Sequence, residues 1–222
     1  MAAVRLEKGE EPEQAARLLA LEPAPFAVVL VGGADRMDDD ALAAVRPFVE
    51  RALAPLVEAR AGTVLDGGTD SGVMRLMGRA RAATRSGFPL VGVVPAAFAA
   101  NGGPILEPNH THFVLVPGSR WGDEGPWLAG LATALAAPER SFTALVNGGE
   151  VAWNDVADSL REGRPVVAVE GSGRTADALA AGIRGEQTDP RAAAMIASGL
   201  VHVCPPERDA LEALVERLVP EP

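Results

Sequence analysis

The stretch FAVVLVGGA (26–34) is the first of a series of short apolar segments that end in glycine or other turn residues. Similar runs of strand length recur along the chain, and Ala-rich segments with helical spacing separate most of them. Strands that are apolar throughout and alternate with helices are typical of a parallel sheet covered on both faces. The sequence therefore predicts a single α/β domain, Rossmann-like and doubly wound, with a mostly parallel sheet of about seven strands. The predicted strands cover residues 26–31, 62–66, 89–95, 111–117, 142–147, 165–170 and 199–205.

Two parts of the chain depart from this regular alternation. Residues 1–25 are polar and contain prolines, which predicts an N-terminal extension with one helical turn. Residues 26–222 then form the ligand-binding domain. Within it, residues 38–60 have helical apolar spacing, but Pro47 and Pro55 each remove a backbone hydrogen bond. We therefore expect a kink or two shorter helices in that segment.

The composition is that of an acidic globular protein. Of the 222 residues, 48% are hydrophobic and 23% are charged, and the net charge is −10. A protein that neutralises many phosphates needs a basic face, so we expect neither duplex nucleic acid nor an anionic membrane surface as a partner. The chain has one cysteine, Cys204, no N-terminal signal core and no apolar run of membrane-spanning length. These features predict a cytoplasmic protein without an intramolecular disulfide.

The residues directly after the predicted strands carry most of the functional signal. In an open parallel sheet, ligands bind beyond the carboxyl ends of the strands, where the strand order reverses. Four of these loops contain paired or near-paired glycines, which let a ligand approach the main chain closely. One such loop is more often only a tight turn, but four at one edge predict a site for phosphate and ribose. The candidate ligand-binding residues are Gly32, Gly33, Ala34, Gly67, Gly68, Thr69, Ser71, Gly72, Gly148, Gly149, Gly171, Ser172 and Gly173.

Arg174 is the candidate phosphate-binding side chain. It follows Gly171-Ser172-Gly173 at a predicted helix start, where a positive charge is unfavourable for the helix. Its presence there favours a nearby anion, although a surface ion pair would also explain it. The alternative cations are Arg36, Arg75 and Arg120.

The few histidines and tryptophans each have two interpretations. His110 and His112 are two residues apart and point the same way on a strand, but a zinc site needs three or four ligands and only His202 remains. We therefore expect no metal and no cofactor, and we assign the first two histidines to a hydrogen bond that fixes a loop or to contact with a ligand. The indoles, which either stack on a base or pack in the core or an interface, are Trp121, Trp127 and Trp153.

Five segments of the chain together carry a family resemblance. They are VVLVGGA (28–34), LDGGTDSGVMRLMGRA (65–80), LEPNHTHFVLV (106–116), LVNGG (145–149) and PVVAVEGSGRTAD (165–177). In this order they resemble the N-terminal nucleotide-sensing region of TRPM cation channels and its free-standing prokaryotic relatives, within the SLOG superfamily. The resemblance implies a Rossmann-like fold with a pocket for a nucleotide or an ADP-ribose-like ligand. Relatives of the LOG type commonly dimerise, which implies a homodimer.

The same superfamily contains the LOG phosphoribohydrolases, whose second glycine motif is P-G-G-x-G-T-x-x-E. The corresponding stretch here, NGGEVAWND (147–155), lacks the Pro, the third Gly and the Thr, and has Asp155 in place of the Glu. A carboxylate stabilises the oxocarbenium-like state in which a glycosidic bond breaks. Because aspartate is shorter than glutamate, its carboxylate would lie away from the reacting atoms. The sequence therefore favours a ligand sensor or signalling module over an enzyme. The alternatives are a LOG-like hydrolase with Asp155 or Glu150 as the acid, and a protein-interaction domain without a ligand.

Overall fold

An eight-stranded parallel sheet forms the centre of the molecule. The structure is a computed structural model that describes residues 1–99 and 105–220. The strand order is β1-β5-β4-β3-β2-β6-β7-β8, and every neighbouring pair is parallel. The predicted Rossmann-like, doubly wound fold is therefore confirmed, with eight strands instead of about seven. The strands are β1 (Ala2–Arg5), β2 (Ala27–Gly32), β3 (Thr63–Asp66), β4 (Leu90–Pro95), β5 (His112–Val116), β6 (Ser141–Val146), β7 (Val166–Val169) and β8 (Val201–Cys204).

Strand β1 is the element that the sequence pattern does not predict. It pairs in parallel with β5, so that Ala2 lies opposite His112 and Arg5 opposite Leu115. Three of its four residues are exposed, and the continuous apolar run of a buried strand is therefore absent. Residues 1–25 were expected to form an extension. They contribute an edge strand to the sheet and a short helix, α1 (Pro12–Leu18), that packs on one face of it.

Helices cover both faces of the sheet, and each face has its own hydrophobic core. One core holds Val49 and Met77 against the sheet, and the other holds Leu131 and Val156. No helix within the described ranges is long and apolar enough to cross a membrane. The helices on the first face are α2 (Asp39–Phe48), α3 (Ala54–Ala59), α4 (Gly72–Thr84) and α9 (Arg208–Leu218). Those on the second face are α1 (Pro12–Leu18), α5 (Gly125–Leu135), α6 (Glu150–Arg161), α7 (Arg174–Ile183) and α8 (Pro190–Ile196).

The segment between β2 and β3 accommodates its two prolines without leaving the helical path. Helix α2 contains Pro47, a π-helical turn follows over Val49–Leu53, and α3 begins with Pro55 in its first turn. A proline has no backbone N–H to donate. In a π turn the hydrogen bonds run from residue i to residue i+5, so the helix continues with a different hydrogen-bond register between the two prolines. A kink or two shorter helices were expected here, and two α-helices occur as parts of one continuous helical run.

The chain order places one switch point in the sheet. From β2 the chain continues through β3, β4 and β5 on one side, and it then returns to build β6, β7 and β8 on the other side. The carboxyl ends of β2 and β6 therefore lie side by side where the direction of winding reverses. This is the position at which open parallel sheets bind ligands.

Candidate functional site

A cavity of about 620 Å³ lies at the carboxyl edge of the sheet, over the switch point. The four glycine loops all follow parallel strands, so they meet at this same edge, as predicted. The volume is in the range of pockets for small molecules. Ten of the candidate residues line it: Gly32, Gly33, Ala34, Gly67, Thr69, Ser71, Gly149, Glu150, Asp155 and Arg174.

The other six candidates shape the loops and do not line the cavity. The Ser172 hydroxyl donates to the Val169 carbonyl (2.6 Å) and accepts from the Asn147 backbone N–H (2.8 Å), so it ties the loop after β7 to the loop after β6. The Gly68 N–H donates to Asp66 Oδ1 (2.7 Å). The six are Gly68, Gly72, Gly148, Gly171, Ser172 and Gly173.

Gly72 explains how the start of helix α4 reaches the cavity. It has a φ of +49°, and a Cβ added there would overlap the carbonyl oxygen of Gly33. That same oxygen accepts the N–H of Val73 (3.0 Å). Glycine is therefore required for the loop after β2 and the first turn of α4 to touch, and this contact sets Ser71 into the cavity wall.

Arg174 lines the cavity beside Gly149. It is exposed, and its guanidinium covers Gly149, where an added Cβ would lie 2.8 Å from Nη2. The guanidinium forms no hydrogen bond or ion pair with the other residues of ranges 1–99 and 105–220. The φ of Arg174 is +53°, the left-handed region that side chains rarely adopt. Backbone strain of this kind is concentrated at functional sites, which makes Arg174 the candidate ligand-contacting cation.

The three alternative cations are placed differently from one another. Arg36 is exposed and lines the cavity. The Nε of Arg75 donates to Asp70 Oδ1 (2.8 Å), so its charge is already paired. Arg120 lies 4.0 Å from Asp123 with its side chain 86% exposed, and it does not line the cavity. Arg36 is therefore the second cation that a bound anion would meet.

Carboxyl side chains also line the cavity. Asp155 is partly exposed there, but its Oδ1 is buried and has no hydrogen-bond partner among the described residues. Burial raises its pKa well above the usual range, and the negative charges of Glu124 and Asp158 raise it further. Burial also raises the pKa of Glu124, although the N–H of Gly122 donates to its Oε2 (2.7 Å). Asp155 therefore holds a proton more readily than an ordinary aspartate.

Glu150 has the opposite electrostatic environment. Its Oε2 accepts a hydrogen bond from Nη1 of Arg191 (2.8 Å), which is the largest cause of its lowered pKa. The same guanidinium lies over the ring of Trp153, 4.6 Å from its centroid. A cation of helix α8 thus lowers the pKa of Glu150, while burial raises the pKa of the neighbouring Asp155.

A buried ionic triad lies behind the cavity wall. His110 donates Nε2–H to Asp66 Oδ1 (2.8 Å) and Nδ1–H to Glu107 Oε2 (2.9 Å), and all three side chains are at most 1% exposed. Burial alone would lower the pKa of His110, but the two carboxylates outweigh it and raise the pKa to about 9. The imidazole therefore carries both protons at neutral pH. Two roles were predicted for His110, a hydrogen bond that fixes a loop and contact with a ligand. The structure shows the hydrogen bonds that fix a loop.

The triad connects two loops that meet at the cavity. Thr69, on the cavity wall, forms a β-bridge with Leu106, and the Asp70 N–H donates to the Ile105 carbonyl (2.7 Å). His112 faces elsewhere, half-buried, with its Nδ1 2.7 Å from the Thr111 hydroxyl. Within the described ranges no cluster of three or more His, Cys, Asp and Glu side chains has the geometry to hold a metal ion.

Sequence reasoning missed several residues of the site. Glu124 is the N-cap residue of helix α5, and its position just before Gly125-Pro126 at a helix start is the signal that could have revealed it. The apolar members of the wall carry no such signal, since they resemble ordinary core residues. They are Leu30, Val31, Met74, Ile105, Leu128 and Val151.

Comparisons with known proteins agree with this fold. The family model described as SLOG in TRPM, prokaryote, matches residues 26–212. The X-ray structure of TM1055, a structural genomics target, superposes with a TM-score of 0.61 at 18% identity, over 86% of this chain and 99% of that one. The molybdenum cofactor carrier protein from Chlamydomonas reinhardtii gives a TM-score of 0.56 at 18% identity, over 87% of this chain and 97% of that one. No curated protein matches the sequence at a significant level.

Proposed function

Because the chain belongs to the prokaryotic family of SLOG domains related to those of TRPM channels, we propose that it binds a nucleotide-derived ligand, such as ADP-ribose, in the cavity and acts as a sensor or signalling module. The observation that carries this proposal is Arg174, an unpaired cation on a strained backbone at the cavity wall. It stands at the first turn of α7, next to the start of α6 at Gly149. Helix N-termini offer free N–H groups and a positive dipole end, which suits a phosphate.

Ligand-induced stabilisation tests the proposal directly. Saturation at about a hundred times the dissociation constant is expected to stabilise the protein by about 2.7 kcal/mol. For a chain of this length that corresponds to a rise in melting temperature of about 5–10 °C. The measurement is a thermal-shift series with AMP, ADP-ribose and cytokinin monophosphates. If none of these ligands shifts the transition, a protein-interaction domain without a ligand is the better interpretation.

Hydrolysis of a nucleotide is the second candidate function, and one observation favours it. Asp155 and Glu150 have pKa values displaced in opposite directions, which is the arrangement that enzymes use for an acid and a base. Two features weigh against it: Arg191 already holds the Glu150 carboxylate, and Asp155 is shorter than the glutamate of the LOG motif. We therefore retain binding as the main proposal.

We expect base release from AMP to be absent or very slow. The reason is that a carboxyl one methylene too short places its oxygen away from the reacting atoms, and small misplacements cost large factors in rate. The measurement is chromatographic detection of free adenine after long incubation at high protein concentration. Clear turnover that is abolished by Asp155→Asn and kept by the exposed-site control Arg46→Ala would establish the hydrolase instead.

A further inference from the structure

Large apolar side chains are exposed in few places, and two of them are at the cavity. In the part of the chain that the structure describes, the exposed large hydrophobic residues are Met1, Leu18, Ile105, Trp121 and Ile183. Of these, Ile105 and Trp121 line the cavity, with 74% and 43% of their surfaces exposed. Exposing a large indole leaves its hydrophobic area in water, which is unfavourable unless a partner covers it.

The indole of Trp121 is stacked on an aromatic ring, and hydrogen bonds fix the loop that carries it. Its ring lies on the ring of Phe98, with centroids 4.3 Å apart and planes inclined by 21°. The Asp123 carboxylate accepts the N–H groups of Ser119 (2.9 Å) and Arg120 (3.0 Å), which fixes the loop on which the indole stands. Phe98 therefore covers one face of an indole that also lines the cavity.

The other two indoles have different roles. Trp153 is 5% exposed and belongs to the core, where Arg191 lies over its ring. Trp127 is partly buried and packs against the same core. Among the residues of ranges 1–99 and 105–220, Trp121 is thus the only indole on the cavity wall. The next residue, Gly122, lies against the start of α6, since a Cβ added there would be 3.6 Å from Val151. Trp121, Glu150 and Val151 line the same cavity.

We propose that Trp121, backed by Phe98, is the platform on which the base of the ligand stacks. This inference rests on the proposed function, since it assigns the aromatic end of a nucleotide to one wall of the same cavity and leaves the phosphate to Arg174. A stacked ring pair offers a flat π surface whose faces carry no hydrogen-bond donors or acceptors. Such a surface recognises an aromatic base as a class and discriminates against sugar phosphates that lack one.

The test compares Trp121→Ala with Trp121→Phe, using ADP-ribose and ribose 5-phosphate as probes and calorimetry as the readout. Loss of a base-stacking ring is expected to weaken ADP-ribose binding by about 5- to 150-fold in Trp121→Ala. Ribose 5-phosphate has no base, so its affinity should change by less than about twofold. Trp121→Phe keeps a ring and should recover most of the affinity for ADP-ribose. Trp127→Phe, which alters an indole away from the cavity, is the matched control and should bind as the wild type does.

Intrinsic fluorescence provides a readout that does not depend on the alanine variant folding. ADP-ribose should change the indole emission of the wild type and of Trp127→Phe, and the change should disappear in Trp121→Phe. Equal ADP-ribose affinity in wild type and Trp121→Ala would overturn the platform, as would a parallel loss for ribose 5-phosphate. If the wild type binds no nucleotide at all, the proposed function itself fails; if it binds and the variants do not differ, only the stacking inference fails.

Discussion

Arg174→Ala is expected to weaken ADP-ribose binding by about ten- to a hundredfold. A hydrogen bond to a charged group contributes roughly 1.5–3 kcal/mol, and each 1.4 kcal/mol corresponds to a factor of ten. The guanidinium has no hydrogen-bond partner among the described residues that would compete for it, so its full donor capacity is available to a phosphate. The measurement is the dissociation constant by calorimetry, together with the ligand-induced thermal shift, most of which should be lost.

The empty protein should tolerate this change. Removing a cation from the start of α7 relieves an unfavourable interaction with the helix dipole of about half a kcal/mol. Arg174→Gly should stabilise the ligand-free protein further, because glycine adopts the φ of +53° without strain. Its affinity for ADP-ribose should be weakened as in Arg174→Ala. Arg46→Ala, which removes an exposed charge on α2 away from the cavity, is the control and should bind normally. A large drop in the melting temperature of empty Arg174→Ala would make the residue structural, and unchanged binding would direct attention to Arg36.

His110→Ala is expected to lower the free energy of unfolding by about 3–5 kcal/mol. The substitution leaves the carboxylates of Asp66 and Glu107 buried without their shared cation, and breaking a buried ion pair from one side has a cost of this size. Asp66 Oδ2 already lacks a partner among the described residues, so no existing contact compensates. The measurement is urea denaturation at pH 6, and the matched control is His112→Ala, which removes a half-buried imidazole of β5 and should cost much less.

The loss of stability in His110→Ala depends on pH, because the triad contains a titratable imidazole. His110 has a pKa of about 9 in the folded protein and about 6.5 when unfolded, so the folded state binds its proton more tightly. Its contribution is fully present below about pH 6.5 and is lost as the pH rises through 9. The difference in stability between wild type and His110→Ala should therefore shrink between these two pH values. A difference that stays constant over that range would contradict a charged imidazole.

The parts of the fold that the sequence predicts are those whose burial is uniform. The central strand β2 is buried on both faces, and its apolar residues form an unbroken run. Strand β1 is not predicted, because an edge strand with three exposed residues needs no such run. Strand β1 forms because its backbone pairs with β5. Pairing between segments so far apart along the chain does not produce a local pattern of apolar residues.

The candidate site divides in the same way. Glycine loops after strands are visible in sequence, and together with the parallel sheet they locate the cavity near Gly33 and Gly149. Trp121 and Glu124 follow β5, which is separated from β6 by three strands in the sheet. Their arrival beside α6 depends on how the loop of residues 117–124 crosses the edge of the sheet. That path is determined by tertiary contacts such as Gly122 on Val151, and no spacing rule describes it.

The pairing of β1 with β5 also sets an order of events during synthesis. Ala2 lies opposite His112, so the first of these strands leaves the ribosome long before its partner exists. At about 5–20 residues per second, the wait is roughly 5–20 s. During that time β2, β3 and β4 can already associate, while β1 remains without a template. We therefore expect this edge to be completed late in folding, and the chaperones that meet the nascent chain would find β1 still unpaired.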